Sequence, residues 1–158
     1  MKTFTTSIDI NASPERVWSI MGDVERWHEW TPSITSIQKM DAGPLTVGSS
    51  ATVRQPKLPP AKWRVTQLDP QRGFTWISTG PGLLVTGRHI IERTSSGSRV
   101  TLAVEYSGAL GPLLAWFTGS HTETAKIAYG LRLAFPVTPG HDHCGDGTPQ
   151  WRRTAREP

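Results

Sequence analysis

Several short segments between Ile34 and Tyr106 carry apolar residues at every second position, and after Pro112 the pattern changes to a helical period. The alternation is clearest in RVTLAVEY, where Val100, Leu102, Val104 and Tyr106 share one face. Short turns, such as Gly80-Pro81-Gly82, separate the strands, so we expect them to pair as an antiparallel meander. The order of elements therefore predicts an α+β domain built around an antiparallel sheet.

The first thirty residues predict one strand followed by a helix pair. Residues 3–10, TFTTSIDI, alternate apolar and polar side chains, which is typical of a half-buried strand. In NASPERVW, Ser13 can cap a helix and Pro14 suits its first position. The sequence predicts a short amphipathic helix that runs to about Gly22 and a second short turn through Trp27.

The C-terminal part predicts one long helix and then a tail. From Pro112 onward, one helical arc contains apolar residues and two hydroxyls: Leu113, Phe117, Ser120, Thr124, Ala128 and Leu131, flanked by Trp116 and Ile127. Beyond Phe135 the chain is rich in Pro and Gly and has no period, so we expect residues 136–158 to be irregular or disordered. The folded domain is predicted to span residues 1–135.

This order of elements resembles the START-like, Bet v 1-like (SRPBCC) superfamily, and in particular its small polyketide cyclase/dehydrase-type proteins. The resemblance covers about residues 3 to 133. It rests on SIDINASPERVWSIMGDVERWHEWTPSI, WRVTQLDPQRGFTW, GRHIIERTSSGSRVTL and SGALGPLLAWF. It implies a helix-grip fold, in which a curved antiparallel sheet wraps around a long C-terminal helix, two short helices follow the first strand, and an apolar cavity lies between sheet and helix.

Strand parity and helix period give the side chains that would line such a cavity. The expected ligand-binding residues are Trp27, Trp30, Trp63, Trp76, Val85, His89, Val104, Tyr106, Trp116, Phe117, Ser120 and Thr124. For each residue taken alone, packing in an ordinary core is the more common role, because aromatic side chains at period two usually pack in cores. Trp27 and Trp30 can pack at a helix end or close the cavity as a lid.

His89 is the candidate catalytic residue, since its ordinary pKa lies near neutrality and its strand parity points it inward. It could act as a general acid or base, or it could be a buried histidine with satisfied hydrogen bonds. Arg54 is predicted to face solvent by parity against Val53. No pair of carboxylates is placed for acid and base chemistry.

No metal and no cofactor are expected. His141, Asp142, His143 and Cys144 are adjacent and cannot readily wrap one tetrahedral ion, and no second ligand pair has zinc-finger spacing. A phosphate-binding glycine loop and a nucleophile elbow are both missing from the sequence.

Charge and composition limit the classes of molecule that the protein is expected to bind. The net charge of +4 is scattered without a basic run, which argues against a nucleic-acid partner. We also expect no membrane insertion, because no apolar stretch reaches the length of a spanning helix. A single cysteine and the lack of a signal-like run after Met1 favour a cytoplasmic protein. A homodimer is kept as an alternative to a monomer.

Two functions follow as hypotheses. The first is binding, transport or sequestration of a hydrophobic small molecule, such as a lipid or a polyketide-like compound. The alternative is a cyclase or dehydratase that acts on a bound polyketide-like substrate, with His89 and the hydroxyls of Ser120 or Thr124 handling protons or orienting the substrate. A protein-interaction domain is less favoured, because Arg and Thr dominate the predicted outer face of the sheet.

Overall fold

Seven antiparallel strands form one sheet in the computed structural model, which describes residues 1–111, 126–128, 130, 131, 134 and 135. The strands are β1 Lys2–Ile10, β2 Ser36–Lys39, β3 Ser50–Arg54, β4 Ala61–Asp69, β5 Gly73–Gly80, β6 Leu83–Thr94 and β7 Gly97–Ser107. Their spatial order is β1-β7-β6-β5-β4-β3-β2, so β1 and β2 form the two edges of a curved, unclosed sheet. The predicted meander is confirmed.

Two short helices follow β1, as the sequence predicts. Helix α1, Pro14–Met21, begins where the Ser13 hydroxyl accepts a hydrogen bond from the backbone N–H of Arg16 at 3.4 Å. It ends at Gly22, whose N–H donates to the carbonyl of Trp18 at 2.8 Å. A 3₁₀ helix, Val24–Glu29, comes next and carries Trp27 on its buried side.

Helical residues near the C-terminus lie against the segment after the 3₁₀ helix. Residues 126–128, 130 and 131 are helical, and Ala128 and Leu131 are fully buried. A Cβ atom at Gly130 would lie only 2.1 Å from the backbone oxygen of Trp30, so only glycine permits this approach. The fold is the expected α+β helix-grip fold. Residues 112–125 of the predicted helix and the predicted tail, 136–158, lie outside the described residues.

The inner face of the sheet has a well-packed half beneath α1. Val17, Met21 and Val24 pack there with Val100 of β7, and each of them is at most 1% exposed. Burying such side chains stabilises a fold by roughly 1.5–3 kcal/mol each. This half fixes the position of the strands that continue into the cavity.

One irregularity in β4 changes which side chains face inward. The pairing of β4 with β5 shifts between Val65 and Gln67, which leaves Thr66 as an extra residue in a bulge. Strict alternation after Val65 would turn Gln67 inward, but Gln67 is exposed. Leu68 instead faces the core opposite Phe74.

Candidate ligand cavity

An apolar cavity of about 100 Å³ lies over the other half of the inner sheet face. Strands β3 to β7 contribute most of its walls, the 3₁₀ helix contributes one, and the C-terminal helical residues contribute another. The lining residues are Trp27, Ile34, Val53, Gln55, Trp63, Trp76, Val85, Gly87, Arg88, His89, Leu102, Ala103, Val104, Tyr106 and Ile127. Aromatic and aliphatic side chains therefore form most of the surface, and Gln55, Arg88 and His89 add polar groups.

Many of the residues singled out in the sequence meet at this cavity. These are Trp27, Trp63, Trp76, Val85, His89, Val104 and Tyr106. Trp30 is not among the described lining residues; it packs beside Trp27 and borders a separate surface depression together with Arg26 and Ala134. The remaining expected residues, Trp116, Phe117, Ser120 and Thr124, lie outside the described residues.

The structure also adds lining residues that the sequence interpretation did not select. Gln55 lies one residue beyond β3 and has the same parity as Val53, which is buried. The alternation of Ala51 and Val53 is the signal that could have identified it. Ile34 carries no such signal, because it lies in the irregular segment before β2.

Trp27 is an inner wall of the cavity and not an exposed lid. Its indole is 1% exposed, and its Nε1–H donates to the backbone carbonyl of Met21 at 3.0 Å. Its ring centroid lies 5.5 Å from that of Trp76 and 5.1 Å from that of His89. The hydrogen bond and the ring contacts hold the indole in place, so the lid interpretation does not fit this residue.

Trp76 can lie flat on the sheet because residue 87 is glycine. A Cβ atom at Gly87 would be 2.5 Å from Nε1 and 2.7 Å from Cδ1 of the Trp76 indole. The ring of Trp63 covers the same region, with its centroid 4.9 Å from that of Trp76 and a tilt of 35°. Gly87 therefore determines where two of the cavity's aromatic walls lie.

His89 is buried among aromatic rings. It is 7% exposed and stacks on Phe74, with ring centroids 4.4 Å apart and an interplanar angle of 12°. Burial lowers the pKa of His89 to about 3, against a smaller opposing effect of a hydrogen bond with the backbone of Phe74. The imidazole is therefore neutral at physiological pH.

Two buried polar atoms of the cavity walls are unpaired. The Nδ1 atom of His89 and the Nε1 atom of Trp63 are closed to solvent, and neither has a hydrogen-bond partner among the residues that the structure describes. Such atoms are uncommon in folded proteins, because each costs the free energy of its lost hydration. The hydrogen bond with the backbone of Phe74 on neighbouring β5 agrees with the expected buried, hydrogen-bonded histidine, whereas Nδ1 has no partner among the described residues.

Comparison with known protein families identifies the chain's family. Residues 1–131 match the family described as polyketide cyclase / dehydrase and lipid transport. The chain belongs to this family. No curated protein matches it.

Solved structures share the fold of this family member at low sequence identity. A hypothetical protein from Helicobacter pylori is 13% identical, with a TM-score of 0.74, over 85% of this chain and 88% of its own. Ara h 8.0201 is 14% identical, with a TM-score of 0.64, over 85% of this chain and 97% of its own. The di-domain ARO/CYC BexL from the BE-7585A biosynthetic pathway is 19% identical, with a TM-score of 0.64, over 85% of this chain and 47% of BexL. At these low identities, the similarity shows only that the proteins share a fold.

Arg88 is the one Arg, Lys, Asp or Glu among the cavity-lining residues in the described part of this family member. Arg54 is exposed, as its parity predicts, and Arg88 lies 3.6 Å from the carboxylate of Glu105. Among the lining residues that the structure describes, none is an Asp, a Glu or a Lys. No cluster of three potential metal ligands occurs in the described ranges, and the His141–Cys144 segment lies outside them. None of the helices in those ranges is long and apolar enough to cross a membrane.

Proposed function

We propose that the protein binds a hydrophobic small molecule in the cavity between the curved sheet and the C-terminal helical residues. The observation that carries this proposal is the lining itself, which is aromatic and aliphatic with few polar groups. Membership in a family described by polyketide chemistry and lipid transport supports it. The proposed contacts are Trp27, Trp63, Trp76, Val85, His89, Val104 and Tyr106.

The size of the cavity favours a compact ligand. Its volume is about 100 Å³, whereas a dry engineered cavity of roughly 150 Å³ holds benzene. Pockets for larger, drug-sized molecules have volumes of roughly 300–1,000 Å³. A lipid chain or a polyketide would therefore enter only if wall residues such as the half-buried Trp63 moved outward.

The enzymatic alternative has less support from His89. An imidazole whose pKa is lowered to about 3 is a weak base at neutral pH, and efficient acid–base catalysis needs a pKa near the working pH. No carboxylate lines the cavity within the described residues, and the hydrogen bond with the backbone of Phe74 offsets only a small part of the lowering of the pKa. A cyclase or dehydratase activity remains a prediction, and we assign no catalytic residue.

Titration with apolar probes, followed by tryptophan fluorescence, tests the binding proposal. Trp27, Trp63 and Trp76 line the cavity, so an occupant should change the emission in a saturable manner. Native mass spectrometry of freshly purified protein checks whether an apolar molecule is already bound. Protein that shows no saturable change with any probe would contradict the proposal.

A pair of phenylalanine substitutions provides the control. Val104→Phe adds volume at a cavity wall and should weaken probe binding. Ile90→Phe adds the same ring type on β6 at a side chain that is 41% exposed, so it should leave probe binding unchanged. Equal loss of binding in both variants would show that the probes bind somewhere other than in the cavity.

A further inference from the structure

Exposed cations meet at one end of the sheet. Strands β1, β4 and β6 begin at this end, and β3, β5 and β7 finish at it. The segments that meet there, which we call the basic end, are residues 1–2, 54–62, 80–84 and 107–111. Their charged residues have one sign and are all exposed: Lys2, Arg54, Lys57 and Lys62. These four are far apart in the sequence, so only the pairing of the strands brings them together.

The charge of the basic end is not neutralised within the described part of the chain. None of its four cations forms an ion pair there. The acidic residue Glu105, two residues before the end of β7, lies beside Arg88 instead. The opposite end of the sheet differs, because its charges have both signs and form three ion pairs: Arg99–Asp9, Arg93–Glu15 and Arg72–Asp69.

Three exposed leucines lie among these cations. Leu58 in the turn between β3 and β4 is 36% exposed, Leu84 at the start of β6 is 36% exposed, and Leu110 after β7 is 49% exposed. Leu110 is fixed beside the turn between β5 and β6, because its N–H donates to the carbonyl of Gly82 at 2.9 Å. Single exposed apolar side chains are ordinary, but apolar tips grouped with unpaired cations are typical of surfaces that bind anionic membranes.

We propose that the basic end docks on a membrane surface that contains anionic lipids. The cations lie near the lipid phosphates and carboxylates, and the leucines enter the headgroup region. A nucleic acid fits this surface less well, because leucine side chains gain nothing from contact with phosphates. The inference goes beyond the proposed function, since docking does not require an occupied cavity. Gln55, Val85 and Tyr106, which line the cavity, lie at this same end, so docking would bring the cavity close to the lipid.

Sedimentation with vesicles tests the electrostatic part. The protein should bind vesicles of equal parts phosphatidylcholine and phosphatidylserine more tightly than vesicles of phosphatidylcholine alone. The double variant Lys2→Gln/Lys62→Gln removes two cations of the basic end, and the affinity for the anionic vesicles should fall at least about fivefold. The matched control Arg72→Gln/Arg93→Gln removes the same charge from the opposite end, so it should cause a much smaller loss.

A second pair of double variants tests the apolar part. Leu58→Asn/Leu110→Asn should weaken binding to the anionic vesicles at least about threefold, because less apolar surface is buried in the headgroup region. The control is Met40→Asn/Val47→Asn, which changes side chains that are 62% and 61% exposed in the segment between β2 and β3 at the opposite end. It should leave binding unchanged.

Three results would overturn the inference. The first is equal binding to both kinds of vesicle. The second is an equal loss in the lysine and arginine variants, because net charge alone would then explain the binding. The third is a loss in the lysine variant with none in the leucine variant. In that case the basic end binds anions in general, and a short DNA duplex that displaces the protein from the vesicles would identify a nucleic acid as the partner.

Discussion

The two halves of the β6–β7 hairpin have the same alternating sequence pattern but different packing. Near the hairpin turn, Ile91 and Val100 pair beneath α1 and are 4% and 0% exposed. At the other end, Val85 pairs with Tyr106 and the two belong to a smaller, separate cluster beside the cavity. In both strands every second side chain faces inward along the whole length. The alternation alone therefore does not show which inward side chains pack in the core and which line the cavity.

What differs between the two halves is the covering element. Helix α1 contacts both β6 and β7 at the packed half and supplies Val17 and Met21 to fill it. The cavity half is bounded instead by aromatic rings from neighbouring strands, whose rigid shapes leave space between them. Trp27 contacts both regions, because it belongs to the packed core and also lines the cavity.

Truncation of Trp27 should have the largest effect on stability. Trp27→Ala removes a fully buried indole and its hydrogen bond to Met21. We expect a loss of about 3–5 kcal/mol in the free energy of unfolding, measured by urea denaturation. Trp63→Ala, the same truncation in the cavity half, should cost less, because Trp63 is only partly buried and borders open space. Equal losses would show that the two halves are equally well packed.

The buried imidazole should make stability depend on pH. The pKa of His89 is about 3 in the folded protein, and an unfolded histidine titrates near its ordinary value of about 6.5. Between these values the unfolded chain binds a proton that the folded protein does not. The free energy of unfolding therefore falls as the pH is lowered from 6.5 toward 3, by up to about 1.4 kcal/mol per pH unit.

His89→Phe separates this effect from that of the carboxylates. Urea denaturation at several pH values from 7 to 4 should show a shallower decrease for the variant than for the unmodified protein. Ion pairs such as Asp9–Arg99 contribute equally to both and cancel in the difference. Parallel curves for the two proteins would mean that His89 is not shielded from solvent as the structure indicates.

Local sequence signals predicted the elements of the fold, because each depends on neighbouring residues. Ser13, Pro14 and Gly22 define α1 through interactions within one or two helical turns. Alternation in β6 and β7 correctly assigns His89 and Tyr106 to the inner face. The resemblance to the superfamily supplied the helix-grip arrangement, which periodicity alone does not give.

Features that depend on pairing or on contacts distant in sequence were not predictable in this way. The bulge at Thr66 arises from the register of β4 against β5 and has no local signal. Trp27 and Trp30 are only three residues apart, yet only Trp27 is among the described residues that line the cavity. Nor does the sequence show that Gly87 lies beneath the indole of Trp76, because that contact joins β5 to β6.

Gly87→Ala is the smallest change that should convert part of the cavity half into a more crowded core. The new Cβ atom would lie 2.5 Å from Nε1 of Trp76, and that indole is held by Trp27 and Trp63. Inserting a methyl group into such a site costs about 1–3 kcal/mol. We expect that loss in urea denaturation, together with weaker binding of apolar probes, because Trp76 must move toward the cavity.

Gly80→Ala is the matched control, since it lies on neighbouring β5 and an added Cβ atom there would have no atom within 4 Å. Its stability should stay the same or rise slightly, because alanine loses less backbone entropy than glycine on folding. The two substitutions add the same methyl group, so a difference between them measures only what surrounds it. If Gly87→Ala were as harmless as Gly80→Ala, the indole of Trp76 would have room to move, and the cavity would be able to enlarge for a longer ligand.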